Sequence, residues 1–261
     1  MTLGRVTIHA VSAIHQAAGL AREVAYWTFI APWTRERSGI RWESVIHQGV
    51  RIGWDAIFIV AVITFFVGMI SALQSASLLR QFGQLLLMAN AVALSMTREL
   101  GPLLTAIIVA GRSGSAFTAE IGSMKMAEEV DALTAMGLNP VHFLMVPRVV
   151  AMVIAVPTLT LIADFMGIFG GWLLAVSVVD LGSLQYIRHT IGAIDMGDVM
   201  RGLTKSFIFG CLIAMTGCYL GIQAEGGSEG VGRSTTNSVV ISIFLIVLAN
   251  LAFTAFFYMV E

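Results

Sequence analysis

From Ala56 to Leu79 the chain carries no charged residue. The run AIFIVAVITFFVGMISALQ inside that stretch is long enough, as a helix, to cross a hydrocarbon core of about 30 Å. Four further apolar regions follow. The second, Gln81 to Gly111, is interrupted only by Arg98 and Glu99 and predicts one long helix from about Leu85 to Gly111 with an ion pair embedded in it. The third, Val149 to Val179, is interrupted only by Asp164; the fourth runs from about Ser206 to Ile222 and the fifth from about Val239 to Val260. Charged residues make up 12% of the chain and hydrophobic ones 57%, with a mean hydropathy of +0.86. A soluble domain carries about 25% charged residues, so the expected class is an all-α polytopic membrane protein.

The remaining composition narrows the function classes. A net charge of −1 supplies no basic field for nucleic acid. Cys211 and Cys218 stand seven apart in an apolar run, about two helical turns from each other, which is too far for a bridge within one helix. The first thirty residues hold Arg5, His9, His15, Arg22 and Glu23 and no clean apolar core, so a cleaved signal peptide is not expected. Residues 2 to 30, with Trp27 close to their end and Trp33 just beyond, suit either a helix lying in the headgroup plane or an ordinary amphipathic packing helix. The sequence shows no internal repeat and no linker. It reads as a single domain over 1–261, with an interfacial region over about 2–50 and a transmembrane core over 51–261.

Lys and Arg asymmetry sets an expected orientation. With the N-terminus inside, Arg5, Arg22, Arg35, Arg37, Arg41, Arg51, Arg112, Lys125, Arg148 and Arg233 fall on the cytoplasmic side. Arg80, Arg98, Arg188, Arg201 and Lys205 fall outside or in the outer half. The bias predicts N-in and C-out, and places Ala110 to Pro140 in the cytoplasm.

No catalytic apparatus is legible. GDVMRGLTKS spaces Gly197 and Gly202 like a P-loop, but Lys205 follows two positions late. GRSGS lacks the frame of a nucleophile elbow. His9, His15, His47, His142 and His189 are scattered, so no metal site is expected. Polar groups do stand in costly places. Arg98 and Glu99 lie in an apolar segment, where ionisable residues rarely persist without a polar partner or cavity. Adjacent helical residues point about 100° apart, so the two cannot face one another. They either fix helix packing through other partners or line a polar pocket, for which a phospholipid headgroup is a sensible ligand because Arg offers a rigid fork of donors. Asp164 is open to the same two readings. Small residues at Gly210, Ala214, Gly217 and Gly221, and at Gly167 and Gly171, form seams for close helix approach, within the chain or between copies.

The stretch EIGSMKMAEEVDALTAMG lacks proline, is rich in helix formers and ends at Gly137 with Pro140 beyond. Read as one helix, it groups Met126, Val130 and Leu133 on one face and Glu120, Glu128 and Asp131 within roughly 80° on the opposite face. An acidic face of this kind suits docking on a partner; the plain alternative is a solvated connector.

RELGPLLTAIIVAGRSGSAFTAEIGSMKMAEEVDALTAMGLNP, Arg98 to Pro140, resembles the MlaE/YrbE permeases, the membrane subunits of ABC transporters that work with MCE-domain proteins. The likeness continues through VPRVVAMVIAVPTLTLIADFMGIFGG and, more weakly, GRSTTNSVVIS. It implies a homodimer with five transmembrane helices per subunit behind an interfacial elbow helix. The chain itself would bind no cofactor; ATP and Mg would be held by a separate cytoplasmic, MlaF-like ATPase. The helix between spans two and three is similar to the family's coupling helix, which makes Glu120, Lys125, Glu128, Glu129, Asp131 and Met136 the expected coupling residues. The implied substrate is phospholipid, exchanged between a bacterial inner membrane and an MlaD-like periplasmic MCE ring for outer-membrane lipid homeostasis. An MlaB-like STAS protein is a further possible partner. Gln74, Leu78, Leu79, Phe82, Arg98 and Glu99 match pocket-lining family positions, with Phe82 standing where a tyrosine occurs in the best-known member. From the residues alone, a self-contained ion-coupled carrier or lipid-modifying enzyme centred on Asp164, Arg98 and Glu99 is the competing expectation.

Overall fold

The computed structural model describes residues 42–260, with 19–20, 22–24 and 26–27 ahead of them. Most of the interfacial region expected over about 2–50 therefore lies outside the described residues. Among the described residues the protein is helical and has no strand. Helix α1, Trp42–Arg80, begins with Glu43 in its first turn and ends on Arg80 in its last, both favourable to the helix dipole. Its first described turn, at Trp42, lies within the segment, about 2–50, read from the sequence as interfacial.

Helix α2, Leu87–Met126, is longer than expected. It does not stop at Gly111, because the polar AGRSG segment contains no proline and is accommodated as a π-turn, Ala110–Gly114. A second π-turn, Met96–Leu100, lies earlier in the same helix. The single helix expected over Glu120 to Gly137 is instead broken at Glu128, which adopts a left-handed backbone with φ 59°. The short helix α3, Glu129–Ala135, then ends as the sequence indicated. Gly137, at φ 76°, donates its N–H to the Thr134 carbonyl, and Leu138 donates to that of Leu133. This is the paired closure of a Schellman motif, which needs a left-handed residue next to the C-cap. Glu128 holds the same kind of conformation without glycine's freedom, at a cost of about 1–2 kcal/mol. Glu128→Gly is accordingly expected to raise stability by about 1 kcal/mol, read as a higher unfolding midpoint in detergent; an unchanged or lower midpoint would show that the side chain compensates for the backbone.

Helix α4 comprises Val141–Ser177, opens with a π-turn and contains Pro157. The Asn139 side chain caps it by accepting from the Val141 N–H at 2.8 Å. Helix α5, Ser183–Ala193, had no counterpart in the sequence reading. Helices α6, Met196–Ile222, and α7, Gly227–Val260, both start well before the apolar runs that announced them. Hydropathy marks where a helix enters an apolar medium, whereas the helix begins wherever its first turn can be capped. Among the described residues five helices, α1, α2, α4, α6 and α7, are long and apolar enough to cross a membrane.

The chain forms two compact units. One contains 1–50, as far as these are described, with 113–152 and 211–242. There the seam at Gly217 and Gly221 packs within the chain: a Cβ on Gly217 would stand 2.9 Å from the Gly114 carbonyl, and one on Gly221 2.8 Å from Ile121. The Thr118 hydroxyl sits in the same seam, 3.1 Å from the Gly217 carbonyl and 2.8 Å from the Ser238 hydroxyl. Arg148, buried, pairs with Glu120 at 3.1 Å and donates to the Leu144 carbonyl at 2.8 Å. The other unit contains 51–112, 153–210 and 243–261. Its core gathers Ala72, Met88, Val92, Met96, Leu174 and Tyr186. Gly68 and Gly167 bring α1 and α4 into backbone contact, since a Cβ on Gly68 would lie 1.9 Å from the Gly167 carbonyl. Burial pushes the Tyr186 phenol up to about 12, so it remains a neutral core group.

Candidate functional site

The π-turn of α2 carries the two intramembrane charges. The Gly101 N–H bonds to the Met96 carbonyl five residues back, which opens the turn by one residue and presents Arg98 and Glu99 on its surface. They do not pair with each other, in accord with the helical geometry; each meets α6. Arg98 Nε lies 2.6 Å from Asp198 Oδ1, and Lys205 Nζ lies 2.6 Å from Glu99 Oε1. Asp198 and Lys205 are seven residues apart and so share one face of α6 two turns apart. Between them stands Gly202, where a Cβ would come within 2.2 Å of the Thr97 carbonyl. Glycine lets the backbones of α2 and α6 touch, and that approach brings both ion pairs into range.

Local chemistry fixes the members in place. Asp198 lies in the first turn of α6 and its Oδ2 accepts from the Asp195 N–H at 3.1 Å, so it caps the start of the helix as well as pairing with Arg98. Asn250 and Thr254, four apart on α7, approach from a third helix. Asn250 Nδ2 donates to Glu99 Oε2 at 3.1 Å. The Thr254 hydroxyl accepts from Lys205 at 3.0 Å and lies 3.0 and 3.2 Å from the two Glu99 oxygens. Lys205 is only 1% exposed. A buried ammonium needs both its counter-charge and its further acceptor, and here it has each.

Next to this network is a cavity of about 140 Å³ lined by Arg98, Glu99, Arg201, Lys205, Thr254, Phe257 and Tyr258. The Arg201 guanidinium stands 5.7 Å above the Phe257 ring. Three cations against one carboxylate in the lining, beside two aromatic rings, suit an anionic group attached to an apolar body. The α1 positions expected in a pocket are elsewhere. Leu79 is half-buried against the core cluster around Ala72 and Met88. Gln74, Leu78 and Phe82 are exposed on α1 and the turn after it, and none lines this cavity. Sequence reading missed Asp198, Asn250 and Thr254 and treated Lys205 as a misplaced P-loop lysine and an outer-side cation. The available signal was complementary: an Arg-Glu pair in one apolar helix, and an Asp and a Lys on one face of another.

The acidic stretch is also divided. Glu120 is taken up by Arg148, and Lys125 donates to the Ile222 carbonyl at 2.7 Å, capping the end of α6. Because the chain breaks at Glu128, Glu120 does not share a face with Glu128 and Asp131. Glu128, Glu129, Asp131 and Met136 remain exposed around α3, while Val130 and Leu133 pack inward with Leu144. Among the described residues no cluster of three or more His, Cys, Asp or Glu comes together as a metal site.

Comparison with known proteins places this geometry in context. A family model described as Permease MlaE matches residues 45–256. A probable ABC transporter permease protein of Rickettsia prowazekii is 41% identical over 216 residues, covering 83% of each chain. One from Synechocystis is 37% identical and covers 79% of each. The chloroplast protein trigalactosyldiacylglycerol 1 of Arabidopsis thaliana is 34% identical, over 84% of this chain and 63% of its own.

Proposed function

The chain belongs to the MlaE permease family, and we propose on that premise that it is the subunit through which an ABC transporter moves phospholipid between a bacterial inner membrane and a periplasmic MCE-domain ring. The observation that carries the lipid reading is the cavity beside Arg98 and Glu99: cationic groups backed by aromatic rings, set in helices apolar enough to span a membrane. A phosphate with apolar tails answers that chemistry better than a small hydrophilic ion. The name of the Arabidopsis relative, which carries that of a galactolipid, supports a lipid class. In this reading the chain works as a homodimer, N-in and C-out, and performs no bond chemistry. An MlaF-like ATPase binds ATP and Mg and docks on α3; an MlaD-like ring receives or delivers lipid, and an MlaB-like protein assists. The permease contributes differential affinity for lipid between two conformations, which is all that a transported ligand can respond to.

Co-purification followed by reconstitution tests this. ATP-dependent transfer of labelled phospholipid to MCE-bearing acceptor vesicles is expected, with phospholipid in the mass spectrum of the purified complex. Transfer driven by an ion gradient without the ATPase would replace the reading with a self-contained carrier. For the docking element, Glu128→Lys and Asp131→Lys reverse charge on exposed positions of the α3 region. Both are expected to lower ATP-driven transfer roughly tenfold while leaving the fold intact, the size of effect that one lost charge-assisted contact of about 1.5 kcal/mol would produce. Normal transfer and normal complex assembly in both variants would remove α3 from the ATPase interface.

A further inference from the structure

Asp164 stands near the middle of α4, a helix long and apolar enough to span a membrane, and it takes no part in the ion pairs of the charged site. It is 8% exposed, its Oδ1 is fully buried, and among the described residues it makes no hydrogen bond or ion pair. The charges on neighbouring helices are absent or engaged elsewhere. α1 carries none between Ala56 and Leu79, and α4 no other between Val149 and Val179. On α2, Arg98 and Glu99 are held by Asp198 and Lys205 of α6, and Arg201 of α6 lies over Phe257. An ionised carboxylate in this setting would bear the whole cost of leaving water with nothing to offset it.

Its packing supplies a second, geometric argument. Asp164 Oδ1 rests on Gly101 of α2: a Cβ on Gly101 would collide with it, and would stand 2.8 Å from the Met96 carbonyl oxygen. Both oxygens therefore crowd the same side of Gly101. With the carboxyl ionised both are acceptors, and two acceptors with no donor between them repel. A proton on Asp164 turns one of them into a donor. The Met96 carbonyl already takes the Gly101 N–H, and its second lone pair can accept that proton.

Met96 and Gly101 are the two residues joined across the π-turn that presents Arg98 and Glu99. The turn is short of backbone donors, because Pro102 follows it and has no N–H. We propose that Asp164 is a proton-binding site: it is held as the neutral carboxylic acid, donates to the Met96 carbonyl, and so braces the π-turn from α4. It is a positioning residue, acting on the charged site through the backbone of α2. An apolar site can keep a carboxylic acid neutral so that it donates a hydrogen bond. Glycine at position 101 becomes a requirement, since any side chain there would take the place of the carboxyl. The inference needs only that α4 lies in a membrane, so it and the transport reading can each fail alone.

The test uses the full chain in nanodiscs of phosphatidylethanolamine and phosphatidylglycerol, made with aspartate isotope-labelled at its side-chain carboxyl. The infrared spectrum at neutral pH is expected to show a protonated-carboxyl stretch, shifted by the label, that is lost in Asp164→Asn. The difference between the two spectra removes the other aspartates. Bracing is read separately, from amide hydrogen exchange in peptides spanning Met96 to Gly101. Asp164→Leu keeps the side-chain shape without a donor and should speed exchange there roughly two- to tenfold, the range that the net worth of one hydrogen bond corresponds to, with α7 unchanged. Asp164→Asn keeps an N–H donor and should stay within about twofold of the parent. The infrared band needs only the parent and Asp164→Asn, so it decides the protonation even where Asp164→Leu fails to fold. A labelled carboxylate signal in place of the acid band would overturn the proposal and make Asp164 the ligand of a bound cation. Exchange in Asp164→Asn as fast as in Asp164→Leu, or unchanged in both, would overturn the bracing.

Discussion

Replacing Lys205 with methionine is expected to remove about 1.5–3 kcal/mol of stability, the usual worth of a hydrogen bond between charged groups, because the Glu99 left behind is itself partly exposed. The packing change is small, because methionine follows most of the lysine stem. The electrostatic change is large: Glu99 keeps Asn250 and Thr254 as neutral donors but loses the ammonium 2.6 Å away. The expected readout is a lower unfolding midpoint in detergent and a smaller monodisperse fraction. Glu99→Gln combined with Lys205→Met should recover most of the loss, because a neutral amide beside an apolar chain leaves no uncompensated charge. The double variant separates structure from function: if the cavity recognises a lipid phosphate, it folds and still transfers lipid poorly. A single Lys205→Met variant as stable as the parent would show that Glu99 does not depend on this pair.

Gly202→Val should disrupt the same site from the backbone side. A Cβ there would stand 2.2 Å from the Thr97 carbonyl, whereas ordinary contact begins near 3.4 Å. The obstacle is main chain and cannot rotate away, so α2 and α6 must part by more than an ångström. Overpacking of this kind costs about 1–3 kcal/mol. The separation falls between Asp198 and Lys205, so both 2.6 Å ion pairs lengthen at once, each a charge-assisted bond of about 1.5–3 kcal/mol. The expected result is a loss of stability exceeding that of Lys205→Met, together with loss of transport. Gly53→Ala is the matched control, because nothing lies within 4 Å of its would-be Cβ; it should be neutral or stabilising by up to about 1 kcal/mol. Wild-type behaviour of Gly202→Val would mean that the helices are free to separate at this point without cost.

Much of the helical plan was legible, and its errors share a cause. The five spans were placed by apolar runs, but α6 and α7 begin before those runs, and α2 continues past Gly111. In each case the missing part is a polar segment that hydropathy does not score. The break at Glu128 was invisible for a different reason: the residues around it are good helix formers, and a left-handed glutamate goes against local preference. The charged site was half legible. That Arg98 and Glu99 needed partners followed from the cost of charge in an apolar helix, but which partners did not follow.

Hydropathy alone determined the five helices able to cross a membrane among the described residues, because the requirement depends only on the composition and length of each run. The same argument identified Arg98 and Glu99 as residues that could not stand alone. Only the tertiary structure decided that Asp198 and Lys205 answer them, from a hundred residues further along the chain, with Asn250 and Thr254 joining from a third helix. Pairing at that separation depends on how closely two backbones approach. Here that distance is set by Gly202 against Thr97 and by an extra residue in one turn of α2, neither of which alters the hydropathy of the sequence.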